Sequence, residues 1–137
     1  MYPPSVALRA AGIDPEVVAD LLDPDDADVA PLRPAPRWMR LLWGDVGAMT
    51  LPWAIYVHPD LLAGDPRRLG AVVVHELVHV AQWRRQGVVR FLAGYLTAYL
   101  RARSRGSDHR TAYEAIPAEQ EARTVTARIL GGEPEVR

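Results

Sequence analysis

The chain has 137 residues, of which 49% are hydrophobic, and its formal net charge is −1. A chain of this length can form one domain that buries about two-thirds of its unfolded surface without disulfides. All 16 basic residues are arginine, and 17 acidic residues balance them, which argues against nucleic acid as the main partner. Cysteine is absent, so any metal site must be built from His, Asp or Glu.

Residues 1–37 are predicted to form an arm that contains one short helix. Asp14 and Pro15 suit the N-cap and the first position of that helix, and several prolines then interrupt any periodicity. Residues 23–28 hold four aspartates but lack the calcium-loop spacing, so a solvated acidic loop is expected. The N-terminus shows no basic and then apolar signal sequence, which favours a cytoplasmic location.

Residues 38–132 are predicted to form the folded domain, followed by a tail at 133–137. The aromatic stretch 38–43 suits a helix and a strand equally well. Residues 47–50 and 54–57 are typical of two strands of a hairpin, because β-branched and aromatic residues stand on either side of a proline turn.

Three helices are expected after the hairpin. Asp65-Pro66 suits the start of the first and Gly87 its end. The second runs from Gly87 to Gly106, and its apolar stripe is expected to pack in the core, although a helix on a membrane surface is an alternative. A short capped run precedes the last helix, which begins at Pro117 and ends after Leu130.

The first of these helices carries the sequence His75-Glu76-Leu77-Val78-His79. Residues four apart lie on the same face of a helix, so His75 and His79 can point two imidazoles at one metal ion. In this H-E-x-x-H arrangement the histidines bind Zn²⁺, and Glu76 can take a proton from zinc-bound water. The motif therefore predicts a catalytic zinc site on a buried helix.

Two histidines leave such a site incomplete, because a catalytic zinc needs a third protein ligand and an open position. The downstream residues that can supply a nitrogen or oxygen ligand are His109, Glu114, Glu119 and Glu121. Spacing alone does not choose among them.

The His75 to His79 motif, followed by Pro117-Ala118-Glu119-Gln120-Glu121-Ala122, resembles the gluzincin metallopeptidases. Among them it looks most like the minigluzincins and the core metallopeptidase-like domain of contractile injection systems. The resemblance implies a small zincin-like α+β fold: a short hairpin or three-stranded sheet packed on the motif helix, plus two further helices. It also implies that Glu119 is the third zinc ligand. The later aspartate of the family pattern is Arg123 here, and Gln82 is our candidate to replace it as a partner of a histidine ligand.

The reaction implied by the resemblance is zinc-dependent hydrolysis of peptide bonds in a peptide or protein substrate. Glu76 would assist the attack of zinc-bound water, and Tyr113 or His109 would stabilise the oxyanion. A second hypothesis is a catalytically silent zinc-binding module, which would be structural or would bind a partner. The oligomeric state is not predicted.

Overall fold

The computed structural model describes residues 3–22, 28, 30–43, 47–51 and 53–131, and within these it shows eight helices and a three-stranded mixed sheet. The predicted α+β class is confirmed. The acidic loop, with the exception of Asp28, and the C-terminal tail lie outside the described residues. The chain divides into two compact units, Met1–Ala81 and Gln82–Arg137.

The first unit begins with two short helices, α1 (Pro4–Ala10) and α2 (Pro15–Leu21). The predicted cap of α2 is confirmed, because the Asp14 carboxylate accepts a hydrogen bond from the Glu16 backbone N–H. Helix α1 was not predicted. Leu8, on its buried side, is fully enclosed, so this helix packs against other residues of the chain.

The sheet consists of β1 (Leu32–Pro34), β2 (Ala48–Leu51) and β3 (Ala54–Val57). Strands β2 and β3 form the predicted antiparallel hairpin, with Thr50 opposite Ile55. Strand β1 pairs with β3 in parallel and comes from the segment interpreted as a proline-rich arm. Its one proline, Pro34, is tolerated because β1 is an edge strand, where one row of N–H groups has no partner in the ladder.

Three helices complete the first unit: α3 (Arg37–Trp43), α4 (Pro59–Leu62) and α5 (Pro66–Gln86), of which α5 runs on into the second unit. The stretch that suited a helix or a strand is thus helical. The predicted start of α5 is confirmed, since Asp65 accepts a hydrogen bond from the Arg67 backbone N–H. Most residues from Leu69 to Trp83 are buried, as expected for a central helix.

The close approach of Ala11, the residue just after α1, to α5 depends on Gly70. A Cβ added at Gly70 would lie 2.3 Å from the Cβ of Ala11, whereas one added at Gly94, in a later helix, would meet nothing within 4 Å. We expect Gly70→Ala to lower the free energy of unfolding by about 1–3 kcal/mol, because the clash exceeds the gain in helix propensity. Gly94→Ala should raise it by about 0.5–1 kcal/mol. Urea unfolding of both variants measures these two changes. A Gly70→Ala variant more stable than the wild type would show that Gly70 is not needed for this close contact.

The second unit contains α6 (Val88–Ser104), α7 (His109–Glu114) and α8 (Pro117–Leu130). The predicted boundaries are close to the observed ones because local signals set them. Asp108 caps α7 by accepting a hydrogen bond from the Thr111 N–H, and Gly131 ends α8 in the left-handed conformation.

The expectation that the apolar stripe of α6 is core was wrong for most of its members. Of this helix only Phe91 is buried, and it stacks on Trp83 with ring centroids 4.7 Å apart. The exposed apolar residues of the helix are Val88, Val89, Leu92, Leu96 and Leu100. Among the described residues, no helix combines the length and the apolar character needed to cross a membrane.

Candidate metal centre

His75 and His79 stand one turn apart on α5, as the motif predicts. Their ring centroids are 5.0 Å apart and their planes meet at 76°. His79 is buried and His75 is half-buried. The helix therefore presents the two imidazoles side by side, the arrangement that a pair of metal ligands at this spacing requires.

Glu76 is buried beside the first histidine, with only 8% of its surface exposed. Its Oε2 accepts a hydrogen bond from the hydroxyl of Thr50, which lies on the edge strand β2. An ionised carboxylate in such a place is costly unless hydrogen bonds or a cation compensate it. Thr50 thus fixes the direction of the Glu76 carboxylate, and sequence analysis had not singled it out.

Glu119 occupies the first turn of α8 and is 2% exposed. Its Oε2 accepts a hydrogen bond of 2.8 Å from the hydroxyl of Tyr95 on α6. Burial raises the pKa of the Tyr95 phenol well above its ordinary value, and the neighbouring Tyr113 and Glu119 raise it further. The phenol consequently stays protonated at neutral pH and remains a donor to the Glu119 carboxylate.

Glu121 faces away from Glu119, as the helical spacing of two residues predicts. It is exposed, and its Oε1 accepts hydrogen bonds from the side chains of Gln82 and Arg85. The Gln82 amide also donates to the carbonyl oxygen of Ala118. These bonds give buried Gln82 a role in anchoring the first turn of α8 to α5, and its partnership with a histidine ligand stays a prediction.

Arg123, which stands where the gluzincin pattern has an aspartate, donates to the backbone carbonyl oxygen of Glu114. Its guanidinium therefore ties α8 to the end of α7. It supplies no acceptor for a histidine N–H, since a guanidinium only donates.

The two predicted oxyanion donors differ in their surroundings. His109 is exposed, and its Nδ1 shares a hydrogen bond of 2.7 Å with the hydroxyl of Tyr99. Tyr113 is half-buried next to the phenol of Tyr95, which in turn bonds to Glu119. Tyr113 is thus the candidate that lies next to the Tyr95 phenol, and the catalytic role of either residue stays a prediction.

Tyr95 is a residue that sequence reasoning missed. It lies four residues after Phe91 on the buried side of α6, where a tyrosine is normally read as packing. The available signal was the need of a buried phenol for a polar partner, but the sequence does not say which partner is near.

Among the described residues, one group could hold a metal ion: His75, His79 and Glu119. Each offers one ligand atom, and these atoms all lie within 4.8 Å of one another. They are the three residues expected from the motif and from the gluzincin resemblance. The group identifies a possible metal site without identifying the metal.

Comparison with known proteins identifies no relative. No family model matches the chain, and no curated protein or solved structure matches it significantly. The resemblance to gluzincins therefore depends on the two motifs and on the group of possible ligands.

Proposed function

We propose that the protein is a zinc-dependent peptidase in which His75, His79 and Glu119 hold one Zn²⁺. The observation that carries the proposal is the group of two imidazoles and a buried carboxylate, with the buried Glu76 next to His75 in the chain. A zinc site closed by four protein ligands would be structural, whereas three ligands leave a position for water and substrate.

The donor set fits zinc. Tetrahedral coordination at bond lengths of about 2.0–2.2 Å places neighbouring ligand atoms roughly 3.4 Å apart. The observed limit of 4.8 Å exceeds this by an amount that small side-chain rotations can remove. Imidazole nitrogen and carboxylate oxygen are ordinary zinc ligands, and the chain offers no thiolate to compete with them.

Helix geometry gives independent support. Gln82 lies three residues after His79 on α5, so the two share a face of that helix. The Gln82 amide donates to Ala118, which directly precedes Glu119. The residue before Glu119 is therefore tied to a side chain of α5 that follows His79 by about one turn.

The side chains of this site have distinct proposed roles. When bound, zinc supplies a Lewis acid that lowers the pKa of water and polarises a scissile carbonyl. Glu76 accepts the proton of the attacking water and returns it to the leaving amine. Tyr95 orients the Glu119 carboxylate, and Tyr113, which lies next to the Tyr95 phenol, is our preferred oxyanion donor.

We propose a peptide or protein substrate because carbonyl activation with a glutamate base is the chemistry of amide hydrolysis. The retained Glu76 favours this over a silent zinc module, which has no need of a proton acceptor. A cytoplasmic location is part of the proposal.

Removal and restoration of the metal tests the proposal. The zinc-loaded protein should cleave unfolded casein, lose the activity after treatment with 1,10-phenanthroline, and regain it with zinc but not with magnesium, because nitrogen ligands favour zinc. Released peptides are followed by mass spectrometry. A protein that binds zinc stoichiometrically but never cleaves would be the silent module instead, and a protein that binds no zinc would refute both.

A further inference from the structure

Helix α6 carries an exposed surface of five apolar residues, which we call the α6 apolar face: Val88, Val89, Leu92, Leu96 and Leu100. Their exposed fractions range from 42% for Val88 to 82% for Val89. At 100° per residue they fall in a sector of roughly 120°, next to the side that buries Phe91. Twelve steps of about 1.5 Å make the face about 18 Å long. A continuous apolar strip of this kind marks a binding surface.

The charges that α6 itself carries have one sign, and the exposed carboxylate of Asp108, just after the helix, interacts with Arg103. Arginine is the only charged residue type from Gly87 to Ser107. Arg103 continues the face at its C-terminal end, and the other three, Arg90, Arg101 and Arg105, lie on the polar side of the helix. All four are exposed. Because an arginine has a long apolar stem, its guanidinium can reach anionic groups above the level at which the leucines are buried.

An apolar face together with exposed arginines fits a partner that is apolar inside and anionic at its surface. We propose that the α6 apolar face binds the surface of an anionic lipid bilayer, with the helix lying in the plane of the interface. Leucine and valine side chains suit burial about 5–10 Å into the boundary between headgroups and acyl chains, and arginines add attraction to anionic headgroups.

A second copy of the chain fits the same face less well. Five side chains on one helix fall short of the about 20–30 residues that each partner contributes to a stable protein interface.

Vesicle flotation tests the proposal with the full chain. Wild type should float with vesicles of phosphatidylcholine and phosphatidylglycerol, bind pure phosphatidylcholine weakly, and lose binding as salt is added. Leu92→Ser with Leu96→Ser should lower the partition coefficient at least about tenfold. Arg101→Gln with Arg103→Gln should lower it about fivefold per arginine.

The matched control removes two exposed apolar side chains elsewhere, Val17→Ser with Leu41→Ser, and should bind like wild type. Circular dichroism verifies that each variant is folded. Leu96→Cys, labelled with an environment-sensitive fluorophore in a chain that has no other cysteine, supplies a second measurement, a blue shift of the label's emission on anionic vesicles. Equal binding by the Leu92/Leu96 variant, or no preference for anionic vesicles, would overturn the proposal. So would a lipid-free dimer in sedimentation that the same double substitution abolishes, since the face would then bind a second copy.

Discussion

Replacing Glu76 by glutamine is expected to lower peptidase activity between about 100- and 10,000-fold while zinc binding is retained. The amide cannot accept the proton of the attacking water, and positioned proton acceptors contribute a factor of this size. Glutamine keeps the shape of the side chain, and its carbonyl oxygen can still accept the Thr50 hydroxyl hydrogen that Glu76 accepts now. The loss should therefore appear in kcat, with the fold unchanged.

The control for this variant is Glu16→Gln, the same change at an exposed position of α2. It should retain full activity. Activity on casein and zinc content are measured on the same preparations. If Glu76→Gln cleaves at the wild-type rate, Glu76 is not the proton acceptor; if it loses zinc, Glu76 contributes to metal binding.

Replacing Glu119 by glutamine is expected to lower zinc affinity at least about 100-fold. Residues that only orient a ligand are typically worth 10- to 100-fold in affinity, so loss of a charged ligand should exceed about that range. Tyr95 can still donate to the amide oxygen of the new side chain, which keeps the first turn of α8 in place. Competition with a chromophoric chelator measures the affinity.

Glu121→Gln is the matched control, two residues along the same helix. Its carboxylate bonds to Gln82 and Arg85 at the surface, so zinc affinity should stay within about twofold of wild type. If Glu121→Gln lowers zinc affinity more than Glu119→Gln does, then Glu121 is the ligand and Glu119 is not.

The helices could be predicted where local capping residues mark their ends. Asp14, Asp65 and Asp108 each cap a helix through hydrogen bonds made within three residues, which spacing alone reveals. Strand β1 could not be predicted in this way. Its parallel partner β3 lies more than twenty residues further along the chain, and nothing local specifies such a pairing.

Whether an apolar helix face is buried is harder to predict than whether the helix has such a face. Periodicity correctly showed that α6 has an apolar stripe, but burial of that stripe depends on whether another element covers it. Phe91 is covered, whereas Leu92 and Leu96 are exposed. The sequence therefore predicted the helix and misplaced most of its apolar residues.

The metal site was likewise predictable only in part. The pair His75 and His79 follows from helical spacing, and the gluzincin resemblance chose Glu119 among four downstream candidates. Thr50 and Tyr95, which hold the two carboxylates, escaped notice because their hydrogen bonds cross between elements. Contacts of this kind depend on the tertiary fold, and no local pattern records them.

X-ray absorption at the zinc edge of the protein loaded with one equivalent of zinc tests the central claim most directly. The chain has four histidines, and only His75 and His79 belong to the proposed site. We expect scattering from two imidazoles, with nitrogen and oxygen neighbours at about 2.0–2.1 Å. This signal should be lost in the double variant His75→Ala with His79→Ala. It should be kept in the double variant His58→Ala with His109→Ala. Zinc that washes away from the wild type, or a spectrum without imidazole scattering, would contradict the central claim.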